Sequence, residues 1–467
     1  MKTSVLVRII QIIHSIRPAS LIIIALMIAG CASVSSSQWD KLYGQPKPRE
    51  ISDRQISPKQ SPAKLTYYQH TRPILEQRCV VCHACYDAPC QLKLETYEGL
   101  LRGANPEKVY DGTRLLGASL TRLFEDAETT AEWRNKKFHP VINERDNTTT
   151  ANIDAGVMAQ ILKLKQDHPL PNDAVLAESF DFNLDHNQSC SSIETFNGYA
   201  QKNPLWGMPY GLPGLNAKEY KMTMDWLAQG AAMGAPTPIP VKVQNQLKDW
   251  EIFFNGDSLK EQLVNRYIYE HLFLAQLYFA EAPRSYFRLV RSPTPPGQPI
   301  KRISTPRPFD EPNVPRVYYR LWQDPSSVVA KTHMPYALGK KRMDEWKTLF
   351  YSEDYTVTQL PSYNPDTAAN PFITFAELPA NARYRFMLNE AQFTIMNFIK
   401  GPVCRGQVAL NVIQDHFWVF FLAPETQNSK GFEKFLADNS KHLQLPASSG
   451  NTFLPLTNWL KYSELQK

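Results

Sequence analysis

The stretch Cys79-Val80-Val81-Cys82-His83 limits more than any other what this chain can fold into. C-x-x-C-H is the attachment signature of c-type haem. The two thiols add to porphyrin vinyl groups and form thioethers, and the histidine supplies the proximal nitrogen to iron. A fold built on it must wrap a flat, apolar group, and that group brings electron or radical chemistry that side chains lack. A zinc or iron–sulfur site competes, because Cys85 and Cys90 follow closely, and C-x-x-C also occurs in thiol redox pairs. Apart from the overlapping Cys82-His83-Ala84-Cys85, no second C-x-x-C or H-x-H pair completes a metal knuckle. Covalent haem on Cys79 and Cys82, with His83 as iron ligand, is the reading carried forward.

The N-terminus sets the compartment. Lys2, Arg8 and Arg17 are basic, and Leu21 to Ile28 form an apolar core too short for a comfortable membrane span. Ile28-Ala29-Gly30-Cys31 resembles a bacterial lipobox, with cleavage before Cys31 and lipid on its thiol. A signal anchor extended upstream through Val5 to Ile13 is the alternative, but His14 and Arg17 interrupt it. Residues 1–30 are therefore expected to be a lipoprotein-type signal peptide. Ala32 and Ser33 lack the acidic residue that retains a lipoprotein in the inner membrane. The protein is expected on the periplasmic side, lipid-anchored, with the outer membrane as the expected host. Several acyl chains on one cysteine anchor firmly. Residues 31–62, rich in Ser, Gln, Pro and Lys, read as a flexible tether.

Residues 31–467 suffice for two or three domains. Hydrophobic residues make up 43% of the chain, enough for ordinary cores. A net charge of +6 suits anionic headgroups, and without a basic run it implies no nucleic acid. No G-x-x-x-x-G-K-[ST] or G-x-G-x-x-G occurs, so neither ATP nor NAD(P)H is implied; G-x-S-x-G and H-E-x-x-H are absent too. Of the seven cysteines, Cys85, Cys90, Cys190 and Cys404 remain after lipid and haem are assigned. Cys85 can pair with Cys90, or one of them can reach Cys190, and spacing does not decide.

Along the chain, residues 66–77 read as a helix entering the haem motif, with Pro73 at a bend or restart. Residues 123–205 read as polar and acidic loops interrupting a haem domain. Gly207-Met208-Pro209-Tyr210-Gly211-Leu212-Pro213-Gly214 follows, then a helix from about Ala217 to Gln229, capped by Asn216 and ended by Gly230. Pro-rich Gly234 to Pro240 reads as a boundary. Met208, a thioether on a Gly/Pro-braced loop before a last helix, is the candidate sixth iron ligand, as on the distal side of small cytochromes c. A core-filling role is the plainer alternative. Met222, Met224, Met233, His139, His168 and His186 compete for the position.

In the second half, residues 245–278 read as one amphipathic helix with Leu263, Val264, Tyr267, Ile268, His271, Leu272, Ala275 and Tyr278 on a broad face. That stripe reads as core, with an acyl-chain pocket as the second possibility. Tyr286 to Arg291, Val317 to Trp322 and His416 to Leu422 read as strands, and Asn381 to Lys400 as a helix ended by Gly401-Pro402. The expected fold class is mainly α with an α+β second half. A cytochrome c-like haem domain spans 63–235 with a long insertion at about 123–205, and an α+β domain spans 236–467.

Cys79 to Leu94 resembles the haem segment of bacterial fatty acid cis/trans isomerases. The likeness continues in Trp133-Arg134, Phe138-His139-Pro140-Val141, Gly207 to Leu212 and Asn389 to Phe421, including Phe398-Ile399-Lys400-Gly401-Pro402-Val403-Cys404-Arg405-Gly406-Gln407. It covers most of residues 60–425. The resemblance implies cis-to-trans conversion of unsaturated acyl chains in the periplasm, without a shift of the bond. The substrate it implies is a membrane phospholipid or a free unsaturated fatty acid. It implies haem at Cys79, Cys82 and His83, and carries over no other catalytic residue. Family members are usually much longer, so the chain is expected to be C-terminally truncated. Rotation about a double bond needs loss of its π character, and an oxidised haem is the expected transient electron acceptor. Two other classes stay open at this point. One is a membrane-anchored electron-transfer cytochrome c, whose redox partner would be unknown. The other is a non-catalytic lipoprotein that binds lipid or senses ligands through haem.

Overall fold

The computed structural model describes residues 38–55, 64–111, 118–171, 188–328 and 335–390, with a few positions between 175 and 181 and between 431 and 438. Several sequence expectations lie outside the described residues. They are the signal peptide with Cys31, the strand at His416 to Leu422, and the Gly401 to Gln407 segment with Cys404.

Two hydrophobic cores organise the rest. The first begins with a π-helical turn, Tyr67–Thr71, running into α1 (Arg72–Arg78). Pro73 lies in the first turn of α1, where its missing N–H leaves no bond unmade. α2 (Tyr97–Arg102) starts at Thr96, whose hydroxyl accepts from Gly99 N at 2.8 Å. Tyr67 and Tyr97 meet edge-on, with ring centroids 5.4 Å apart, and both pack in one core with Trp226. The Trp226 indole donates to Ala232 O at 2.9 Å, and Tyr67 N donates to the same carbonyl at 2.8 Å. The chain just before the haem motif is thereby locked to the turn after residue 228.

The stretch expected as loops over 123–205 contains four α-helices among its loops. α3 (Thr130–Asn135), α4 (Thr149–Asp154), α5 (Val157–Asp167) and α6 (Phe196–Lys202) form there. Val141, Ile142, Met158, Ala159 and Leu162 belong to the same core as Tyr67 and Trp226. On α5, Met158, Ile161, Leu162 and Lys165 recur at helical spacing, but Gln160, Lys163 and Gln166 alternate with them and mask the stripe. α7 (Ala217–Ala228) starts at Asn216, whose Oδ1 accepts from Glu219 N at 2.9 Å, while Glu219 Oε2 accepts from Asn216 N at 3.0 Å.

The second core differs from expectation in one respect. The single helix over 245–278 is α8 (Val241–Phe254) and α9 (Leu259–Leu272), followed by the strand β1 (Gln276–Phe279). Asn255-Gly256-Asp257-Ser258 breaks it. Ser258 then caps α9, with its hydroxyl accepting from Glu261 N at 3.2 Å and its N–H donating to Glu261 Oε2 at 3.0 Å. β2 (Tyr286–Ser292) and β3 (Tyr318–Asp324) lie close to the expected strands, and β4 (Pro335–Leu338) completes a sheet ordered β3-β2-β1-β4. β2 is antiparallel to β1 and β3, and β1 is parallel to β4, with Leu277 opposite both Phe287 and Tyr336. α10 (Lys340–Tyr351) and α11 (Ala380–Asn389) cover this core. α11 is the described start of the helix expected over Asn381 to Lys400. Leu263, Val264, Tyr267, Ile268, Leu272 and Ala275 are all buried in this core. The stripe of α9 is therefore packed against its neighbours, and no acyl pocket opens along it.

The fold is helix-rich with one small mixed sheet, an α+β arrangement. The cores meet where Ser327 N donates to Glu95 O at 2.9 Å and where Glu125 faces Arg302 at 3.4 Å. Among the described residues no helix is long and apolar enough to cross a membrane.

Candidate functional site

Cys79 follows the last turn of α1, with its N–H bonded to Leu75 O at 2.9 Å. Cys82 N and His83 N both donate to Cys79 O at 3.1 Å. This one-turn wrap sets two thiols and an imidazole on a single rigid element. His83 is buried, and its Nδ1 lies 2.9 Å from Leu92 O. A carbonyl partner requires Nδ1 to carry the proton, which leaves the Nε2 lone pair for a metal. Burial lowers the pKa of this imidazole, against the opposing effect of the Leu92 bond, and keeps the ring in the neutral form that ligation needs. Burial also pushes the Cys79 thiol up to about 12, with Arg78 opposing.

Met208 is held over the same space. Its N–H donates to Ile161 O on α5 at 3.3 Å. The close approach requires Gly207, since a Cβ there would lie 2.6 Å from Lys165 Cα. Arg78 ties this loop to the haem motif, donating to Pro213 O at 2.8 Å and Gly214 O at 2.7 Å. A cavity of about 520 Å³ lies between the two walls. Cys79, Cys82, His83 and Met208 all line it, with Leu162 and Trp206 among the apolar lining.

The competing ligands separate clearly. Met222, Met224 and Met233 pack in the first core. His168 is exposed at the end of α5, and His186 lies outside the described residues. Of the competitors only His139 lines the cavity.

Cys90 and Cys190 form a disulfide, one of the pairings the spacing had left open, and Cys85 is also disulfide-bonded. Cys79 and Cys82 are free thiols. The thiols nearest the motif are thus taken out of any zinc or iron–sulfur set. Among the described residues no group of three or more His, Cys, Asp and Glu side chains is arranged to hold a metal ion. Two free thiols, a neutral imidazole with Nε2 available and a facing thioether form a donor set that fits c-type haem.

Two features of the cavity were not read in the sequence. They are the wall contributed by α5 and the aromatic lining of Tyr199, Trp206 and Tyr210. The helical spacing of Met158, Ile161 and Leu162 was the available signal for the first.

A family model for fatty acid cis/trans isomerase matches residues 118–467. The chain belongs to the fatty acid cis/trans isomerase family. The matched span holds α5, Met208, His139 and the second core, and it begins downstream of the Cys79–His83 motif. No curated protein and no solved structure matches the chain. As a fatty acid cis/trans isomerase it needs a site that admits an apolar chain. Cis and trans isomers hold the same atoms, so the reaction consumes no proton, phosphate or hydride overall. The cavity fits that requirement, being lined largely by apolar and aromatic side chains with few charged ones.

Proposed function

We propose that this isomerase converts cis double bonds of unsaturated acyl chains to trans at the cavity between His83 and Met208. A c-type haem is held there through Cys79 and Cys82, in a cytochrome c-like domain. His83 and Met208 would supply its iron ligands. The observation that carries this reading is the convergence on one cavity of all four side chains, drawn from two segments far apart in sequence.

When bound, the haem supplies a one-electron acceptor, and withdrawal of electron density is what loosening a π bond requires. The protein's part is positional. Leu92 O fixes the His83 ring in its ligating tautomer. Arg78 and Gly207 set the Met208 loop against α5. Ligation by the Met208 thioether would raise the reduction potential. Leu162, Trp206 and their neighbours exclude water and offer the acyl chain an apolar surface.

The substrate is an acyl chain of membrane lipid, either esterified or released as the free acid, and no nucleotide takes part. Lipid on Cys31 holds the enzyme on the periplasmic face of a membrane, within reach of that substrate.

The test is direct. Purified holoprotein is incubated with vesicles of cis-monounsaturated phospholipid, and with the free acid, and the acyl chains are analysed by gas chromatography. Trans chains with the bond position unchanged are expected. Redox-active haem protein with no trans product would reject the reading in favour of an electron-transfer cytochrome.

A further inference from the structure

His139 is placed where the two walls of the cavity join. It pairs with Ala104 in an isolated bridge, His139 N to Ala104 O at 2.8 Å and Ala104 N to His139 O at 3.0 Å. The next residue, Asn105, donates to Cys90 O at 2.8 Å, in the segment that follows His83. On the other side, Val141 O accepts from Met158 N at 2.8 Å, on α5, whose Ile161 O accepts from Met208 N. The thiol edge of the cavity lies elsewhere, where Arg78 beside Cys79 bonds Pro213 and Gly214.

The lining changes character near His139. Glu107, Lys108, Gln188, Ser189 and Ser191 also line the cavity, the last three held by the Cys90–Cys190 bond and by Cys90 N donating to Gln188 Oε1 at 2.7 Å. His139 itself has an unusual hydrogen-bond state. Its Nε2 is buried and has no partner. Burial lowers the pKa of this ring, and Arg134 adds to that, against the bond to the Ser191 backbone and Glu194, which favour the charged form. A buried ring nitrogen is seldom left unpaired in a working site. A neutral ring holds one proton for two nitrogens, and a carboxylate brought against Nε2 favours a second proton on the ring, which makes the contact a charge-assisted hydrogen bond.

We propose that His139 anchors a carboxylate at this polar end of the cavity. Two sources offer that chemistry, and both rest on the function proposed above. One is a haem propionate, carried on the porphyrin edge opposite the vinyl groups that Cys79 and Cys82 would capture. The other is the head of a free fatty acid whose chain lies in the apolar part.

The experiment compares full-length holoprotein with its His139→Phe and His139→Gln variants. Circular dichroism and in-gel haem staining report folding and attachment. Should the Phe variant not fold, the Gln variant carries the comparison. In one arm the reduction midpoint is followed against pH. In the other, calorimetry compares a free cis-monounsaturated acid with its methyl ester. Loss of a pH-dependent step in the potential, with acid binding unchanged, identifies a propionate. Loss of an about tenfold preference for acid over ester, with the potential unchanged, identifies the substrate carboxylate. Variants that move neither readout while keeping haem overturn the proposal. Wild-type protein without covalent haem would sink the haem reading and leave the acid-against-ester arm in force.

Discussion

His83 Nδ1 and Leu92 O lie 2.9 Å apart, so the segment that follows the haem motif dictates the tautomer of the histidine within it. Leu94 N returns a bond to His83 O at 2.9 Å, which closes the segment back on the motif. The first prediction follows from this wrap. Cys79 and Cys82 are both free thiols, and under the proposed function two thioethers need both. Cys82→Ala should fold, because Cys82 is exposed and no buried volume is lost. It should lose stable covalent haem and the in-gel haem stain. Wild-type staining of the variant would refute the attachment reading.

Gly207 and Gly214 give a paired test of the Met208 loop. A Cβ on Gly207 would meet the Lys165 backbone, which cannot move without shifting α5. At Gly214 it would lie 3.3 Å from Gln166 Nε2, the end of a flexible side chain. Gly207→Ala should therefore cost about 1–3 kcal/mol, and Gly214→Ala well under about 1 kcal/mol. Urea denaturation of both variants measures the difference. Equal midpoints would show that the loop does not depend on its close approach to α5.

Some of this architecture was legible in the sequence. Asn216 with Glu219 is a local cap that needs no tertiary context. β2 and β3 were readable from dense aromatic and branched residues. What stayed hidden was non-local. The Cys90–Cys190 bond spans a sequence separation of 100, and spacing alone cannot assign it. β1 and β4 are four residues each, and their pairing is set by the sheet they join. The stripe at 245–278 was apolar enough to suggest an acyl pocket, yet β1, β2, α10 and α11 cover it. At the cavity, Met208 could be singled out by its Gly/Pro-braced loop. The unpartnered state of His139 appears only once Ser191 and Ala104 are brought beside it.

Glu95 makes stability depend on pH. Its side chain is 2% exposed, and burial raises its pKa to about 7, although Lys93 at 2.5 Å opposes the shift. The folded state thus keeps a proton that the unfolded chain releases near 4.5. The associated stability is fully present below the unfolded value and is lost as pH rises through the folded one. Unfolding free energy should fall by on the order of 3 kcal/mol between about pH 4.5 and 7.5 from this group. Glu95→Gln should flatten that part of the profile. A wild-type profile that rises across this window, with the Gln variant parallel to it, would show that Glu95 is ionised in the folded protein.

Met208 links structure to reaction most closely. Its thioether lines the cavity that holds His83, on a loop fixed by Ile161 O and Arg78. If sulfur binds iron, Met208→Ala should abolish the sulfur-to-iron charge-transfer absorption. It should also lower the reduction potential, because water or a harder ligand stabilises ferric iron. If withdrawal of electron density governs the rate, trans-acyl production should fall with the potential while lipid binding persists. If the thioether must leave before the acyl chain approaches, the same variant should keep or raise turnover. A retained absorption band would exclude Met208 as ligand. Loss of the band with full activity would reject the dependence on potential and leave ligand displacement as the route. Measuring spectrum, potential and product on one preparation separates these outcomes, because the first two read the iron environment whether or not the acyl chain turns over.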